Sequence, residues 1–112
     1  MKRLYLFFIS SLVLQTIAFS QTSELGLAWS QNIINGVVYR KNSVVTHQQT
    51  QYVAWYNPEG TVMLAKRKIG STNWNVKPTQ HKGNIKDAHR SISIMVDGDG
   101  YIHLSWDHHG NQ

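Results

Sequence analysis

The chain has 112 residues, 11 Lys and Arg against 6 Asp and Glu, a net charge of +5, 41% apolar residues and no cysteine. That length points to one small domain, and the missing cysteines exclude a disulfide-stapled mini-fold. The basic residues do not form the Lys/Arg stripe of a nucleic-acid binder, so no nucleic-acid partner is expected.

Residues 1–20 differ from the rest. Lys2 and Arg3 precede the uncharged run Leu4 to Phe19, and Ala18-Phe19-Ser20 supplies a small-x-small cleavage site, so the segment reads as a signal peptide with the mature chain starting near Gln21. A membrane anchor is the alternative, disfavoured because the run is short for a spanning helix and no stop-transfer charges follow. Lipid attachment would need a cysteine that the chain lacks. The expectation is a secreted or periplasmic protein, with no membrane association after cleavage. Loss of Lys2 and Arg3 leaves +3, compatible with an acidic ligand.

Beyond residue 20 helical periodicity is absent, and short β-rich runs alternate with Gly, Asn, Asp and Pro. In chain order, strands are predicted near Val37–Arg40, Val44–Thr46, Tyr52–Tyr56, Thr61–Lys68, Trp74–Lys77, Ser91–Val96 and Tyr101–His108. The basic run Lys66-Arg67-Lys68 reads as a solvated strand edge guarded against stray pairing.

Two turns set the register. Asn57-Pro58-Glu59-Gly60 and Asp97-Gly98-Asp99-Gly100 both suit a three-residue hairpin loop with a bulge and Gly in a left-handed conformation. In that register Asp97 faces Tyr101, while Ile92, Ile94 and Val96 oppose Trp106, Leu104 and Ile102 as one apolar face. A two-residue loop would slip the pairing by one and move those side chains to the wrong face. The favoured register also opposes Ser93 with Ser105, Met95 with His103, Ser91 with Asp107 and His89 with His109, so two imidazoles meet at one mouth of the hairpin.

The two turns lie 40 positions apart with apolar strands on both sides. A repeat of about 40–45 residues with several strands per unit is the β-propeller signature, against a plain β-sandwich as the alternative. The fold class is therefore all-β, with residues 21–112 giving about two antiparallel four-stranded blades. Closed propellers need roughly four to eight blades, so an N-terminal portion of a longer propeller is expected.

Five of the six histidines fall between residues 81 and 109. An imidazole is both a base and, when charged, a donor to an anion near neutral pH. Metal ligation is disfavoured, since His103 and His109 on one strand face are roughly 20 Å apart at 3.3 Å per residue. His89, His109 and Asp107 are the set able to approach one another. Asp97-Gly98-Asp99-Gly100 imitates the start of a calcium loop but lacks its third ligand and distal Glu. No metal and no cofactor are expected. Tyr101, Trp106, Trp55 and Trp74 could stack on sugars, yet strand aromatics more often pack between sheets.

The run Asp87-Ala88-His89-Arg90-Ser91-Ile92-Ser93-Ile94, with the segment from Asp97 through His103 and Trp106-Asp107-His108-His109 to Asn111, resembles the signature of exported BNR-repeat propeller proteins. Gln51 to Tyr56, Ala65 to Gly70 and Trp74 look like the preceding blade of that family, although Gly70-Ser71-Thr72-Asn73-Trp74 keeps only the Gly and Trp of an Asp-box. Within the family the chain is similar to seven-bladed propeller lyases acting on ulvan, a sulfated uronic-acid polymer. The resemblance implies catalytic His89 and His109, with a Tyr and an Arg from later blades. His108 stands where those lyases often carry an apolar residue and receives no role.

β-Elimination of a uronate removes the proton at C5 and expels the 4-O-linked sugar. It therefore needs a base and a group that neutralises the substrate carboxylate. Two facing imidazoles suit that division, because their proximity disfavours both being charged. Arg90 could hold a sulfate or carboxylate in its fork, an edge salt bridge being the plainer reading, and Arg90 and Asp107 are the candidate substrate-binding residues. His103 is assigned to packing against Met95. The expected partner is an acidic polysaccharide, and the full-length protein is expected to be a monomer. Two alternatives stand beside the lyase: a propeller glycoside hydrolase acting on rhamnose–uronate linkages, and a glycan-binding or structural propeller without catalysis.

Overall fold

The structure, a computed structural model, describes residues 22–39 and 42–110. The expected signal peptide and its cleavage site lie outside the described residues. The described chain is all-β: β1 (Val44–His47), β2 (Thr50–Tyr56), β3 (Thr61–Lys68), β4 (Asn75–Lys82), β5 (Ser93–Val96) and β6 (Ile102–Ser105). One three-residue 3-10 turn, Ala88–Arg90, precedes β5. It occupies positions expected to lead straight into a strand, and β5 accordingly starts at Ser93 rather than Ser91.

β1 to β4 form an antiparallel meander in chain order, and β5 and β6 form a separate two-stranded sheet. The four-stranded sheet has the form of a propeller blade and β5–β6 that of a second blade's opening hairpin, so the described residues build less than the two full blades expected. The run Val53-Ala54-Trp55-Tyr56 is apolar without alternation because both faces of β2 are covered. One face carries Ala54 and Tyr56, which join Val62, Ile34, Ile92 and Ile94 in the main core. The other carries Val53 and Trp55, which pack with Ala65 against Leu25, Met63, Trp74 and Val76. The hairpin lies against the first face, tied by Ile94 N donating to Asn42 O at 3.1 Å.

The register of β5–β6 is the one favoured on burial, with Ser93 opposite Ser105, Ile94 opposite Leu104, Met95 opposite His103 and Val96 opposite Ile102. Both hairpin loops close alike. Gly60 N donates to Asn57 O and Gly100 N to Asp97 O, with φ of 76° and 90° at the two glycines. The first loop residue's side chain completes each turn. Asn57 Oδ1 accepts from Glu59 N and Thr61 N, and Asp97 Oδ1 from Asp99 N and Tyr101 N. Asp97 is thus a turn residue, as the hairpin reading requires.

Several expectations are corrected. No strand forms over 37–39: Val38 and Tyr39 lie in a turn, and Arg40 is outside the described residues. Here Asn35 replaces a neighbouring strand. Its amide donates to Tyr56 O at 2.9 Å and accepts from Tyr56 N at 2.8 Å. The basic run Lys66-Arg67-Lys68 is an edge only in part: Lys66 pairs with Asn75 of β4, whereas Arg67 and Lys68 pair with β2 alone. Arg67 turns inward to Gln51 Oε1, Ser23 Oγ and Ser71 O, and covers the Trp74 ring at 4.5 Å. β4 extends to Lys82 and includes Pro78, tolerated because β4 is an edge strand of this sheet. β6 ends at Ser105, short of His108, because Asp107 takes a left-handed φ of 57° that a ladder cannot continue. Trp55 is buried, and Trp74 and Trp106 pack against the two cores, but Tyr101 is 71% exposed.

Two glycines are required for different reasons. A Cβ at Gly100 would meet His47 Nε2 at an ordinary 3.8 Å, but φ there is positive, whereas a Cβ at Gly83 would lie 2.5 Å from Tyr56 Oη. Gly100→Val should therefore lower stability by about 1 kcal/mol or more through backbone strain. Gly83→Ala should lower it through collision with a fully buried ring. Thermal midpoints of the two variants check both.

The twin turns also differ in pH response. The bond from His103, then that from the Tyr101 amide, hold the Asp97 carboxyl below its usual range. A depressed folded value means that the ionised form stabilises the turn. That contribution is complete above the ordinary carboxylate range and is lost as pH falls through the depressed value. In an acid titration followed by amide NMR, the Tyr101 amide should shift in that window, while the Thr61 amide, held by the neutral Asn57 side chain, should not.

Candidate active site

Asp87 begins the site. Its short carboxylate accepts from the backbone of residues ahead of it, a habit that nucleates turns. Asp87 Oδ1 takes His89 N at 2.9 Å, and Arg90 N donates to Asp87 O at 3.1 Å, which folds Ala88–Arg90 into the 3-10 turn. Across from it, the left-handed Asp107 swings the chain after β6 back toward this turn.

Arg90 joins the two. Its side chain is 20% exposed, and its Nη1 donates to Asp107 Oδ1 at 2.9 Å and to Asp107 O at 3.1 Å, while Nη2 donates to His109 O at 2.6 Å. Its Nε is 3.8 Å from Asp87 Oδ2. The Arg90 carbonyl in turn accepts from the hydroxyl of buried Tyr56 at 2.9 Å. The guanidinium therefore fixes one turn against the other, and the core fixes the guanidinium.

The result is a carboxylate between two imidazoles. His89 Nδ1 lies 2.8 Å from Asp87 Oδ1 and His109 Nδ1 lies 2.8 Å from Asp87 Oδ2. The rings are 4.6 Å apart between centroids and inclined by 30°. Both side chains are more than half exposed, whereas Asp87 is one-third exposed. The bond from His109, with the backbone and side-chain bonds from His89, holds the Asp87 carboxyl well below the usual carboxylate range. Tyr39 stacks on His89 at 5.8 Å between centroids and donates its hydroxyl to Ala88 O.

His89 and His109 thus meet, as the register implied, but not through the ladder, whose last pair is Ser93 and Ser105. Arg90 and Asp107, expected to bind substrate, are engaged with one another. The carboxylate that approaches the imidazoles is Asp87 rather than Asp107. His103 does oppose Met95, but both are exposed, and its ring bonds Asp97 at 2.8 Å instead of packing. Asp87 and Tyr39 were missed. The Asp-x-His spacing was a usable signal for Asp87, whereas nothing local marks Tyr39. Among the described residues, Asp87, His89 and His109 form the one group whose ligand atoms, all within 4.8 Å of one another, could surround a metal ion. No described helix is long and apolar enough to cross a membrane.

Residues 50–112 match the model of a family described as BNR repeat-containing family members. That is more than half of the chain, which therefore belongs to this family of propeller-like, carbohydrate-associated proteins. No curated protein matches the chain.

Arg90→Lys should separate the two turns, because an ammonium cannot reproduce the guanidinium's fork. The contact between the His89 and His109 rings, read as an NMR cross-peak, should be lost. The β5–β6 amide pattern should persist, and the thermal midpoint should fall as charge-assisted bonds worth about 1.5–3 kcal/mol each are broken.

Proposed function

We propose that the chain builds part of an exported, monomeric β-propeller lyase that cleaves an acidic, uronic-acid-containing polysaccharide of the ulvan type by β-elimination. The observation that supports it most is the pair of exposed imidazoles, 4.6 Å apart and tied to one carboxylate. One neutral ring takes the C5 proton. The other, protonated, holds the substrate carboxylate as charge develops there. Asp87 stands against both rings and supplies the negative charge that balances a proton gained there. Membership in a carbohydrate-associated family and a net positive chain agree with an anionic polymer as substrate. Arg90 and Asp107 hold the site together, and a Tyr and an Arg from later blades complete it.

The test is an ultraviolet assay on the complete propeller, since elimination leaves a double bond conjugated with the carboxylate and hydrolysis does not. The polymer should yield the absorbing product. His89→Ala and His109→Ala should each lower turnover by about 10²-fold or more with the fold retained, while His103→Ala should leave turnover intact. New chain ends without absorbance would replace the lyase by a hydrolase. Binding without new ends would reject catalysis.

A further inference from the structure

The Asp87 carboxylate decides where the protons of the two imidazoles sit. An ionised carboxylate has lone pairs and no proton to donate. Oδ1 lies 2.8 Å from His89 Nδ1 and Oδ2 lies 2.8 Å from His109 Nδ1, and each contact is a hydrogen bond only if that ring nitrogen carries hydrogen. A neutral imidazole has one N–H and one bare nitrogen, and the bond made by the first fixes the second. We propose that Asp87 is a positioning residue that keeps hydrogen on Nδ1 of both His89 and His109, so that whichever ring is neutral is the Nδ1–H tautomer and presents its Nε2 lone pair as the proton acceptor.

The surrounding charges agree. Arg90 Nε stands 3.8 Å from Asp87 Oδ2 and favours the ionised carboxylate, and Asp107 on the far side of the guanidinium offsets its charge. Tyr39 covers one face of His89 and bonds the backbone of Ala88, which leaves the Nδ1–Asp87 contact intact. Exposed His108 adjoins His109 in the chain, and no bond between the two rings competes for Nδ1.

What Nε2 does with its lone pair rests on the lyase reading; the tautomer does not. In that reaction the C5–H bond breaks and its proton forms an N–H bond at Nε2. The freed pair becomes the C4–C5 double bond, and the C4–O bond breaks. The leaving oxygen keeps that bond's electrons and takes a proton from water. The base becomes an imidazolium whose Nδ1–H still points at Asp87, so the carboxylate carries the countercharge at the moment it is needed.

The tautomers can be read on this chain by 15N-labelled histidine NMR at alkaline pH, where the rings are neutral. Both rings should show protonated Nδ1 and bare Nε2. An Nε2–H signature in either ring would overturn the proposal, as would stoichiometric displacement of the Nδ1 protons by added zinc. Asp87→Asn keeps a cap oxygen for His89 N but places an NH2 donor against His109. His109 should switch to Nε2–H while His89 stays Nδ1–H and the β5–β6 amide pattern is unchanged; a His109 that does not switch would contradict the proposal. Should that variant fail to fold, the wild-type tautomers still decide. In the complete propeller, Asp87→Asn should lower kcat by on the order of 10-fold or more with KM little changed, and unchanged kcat would reject the positioning role. Nδ1–H tautomers in a propeller without lyase activity would instead leave the tautomer lock standing and remove the proposed function.

Discussion

The Arg90 guanidinium is the contact on which the site depends. Neither the turn at Asp87 nor the one at Asp107 belongs to a sheet. Arg90 bonds the side chain and carbonyl of Asp107 and the carbonyl of His109, and it reaches toward Asp87. Arg is the residue for this position because its donors are fixed in one plane and can serve several oxygens at once. Its own backbone is anchored by the Tyr56 hydroxyl. Tyr56 is fully buried, passes against Gly83 and has its main chain held by Asn35. A line of contacts therefore runs from the N-terminal segment through the first sheet to the imidazole pair.

The two hairpins were legible because their information is local. Asn57 and Asp97 each close a loop with their own side chain, Gly60 and Gly100 each supply a positive φ, and apolar alternation on both flanks leaves one register for β5–β6. The departures lie where tertiary contacts outweigh local preference. Val37 to Tyr39 has strand-like composition, but Asn35 takes the position beside Tyr56 that a strand would need. The 66–68 run reads as an edge by charge, but sequence cannot show that β4 reaches as far as Lys66. The His89–His109 encounter was legible from register, while its cause was not. The ladder ends four residues short of His89 and of His109, and what closes the gap is a capped turn, a left-handed Asp107 and one guanidinium.

Arg90 and Asp107 illustrate why a charged pair near a candidate site is ambiguous in sequence. Either could face a ligand, and only the fold shows that each satisfies the other. The reverse holds for Asp87. As a turn residue before His89 it looked unremarkable, but the cap that folds the 3-10 turn also aims its second oxygen at a ring twenty-two positions away. One carboxylate thus serves local structure and the geometry of the site together. Removing it wholly would confuse the two roles, whereas changing one oxygen to an amide nitrogen separates them.

The site stands at a junction. His89 and Asp87 come from the connection between the four-stranded sheet and the hairpin, His109 comes from beyond the hairpin, and Tyr39 precedes the first strand. No single element holds the imidazoles together, so their separation reports how the hairpin seats on the first sheet. Ile92 and Ile94 make that seat by joining Ala54, Tyr56 and Val62, and the polar contacts above it set only the final orientation. Apolar packing between blade-like sheets supplies the non-directional part of the stabilisation, and Arg90 and Asp87 supply the directional part. Chemistry that needs two imidazoles at a fixed spacing can therefore be carried by exposed side chains, because the elements beneath them are fixed by the core.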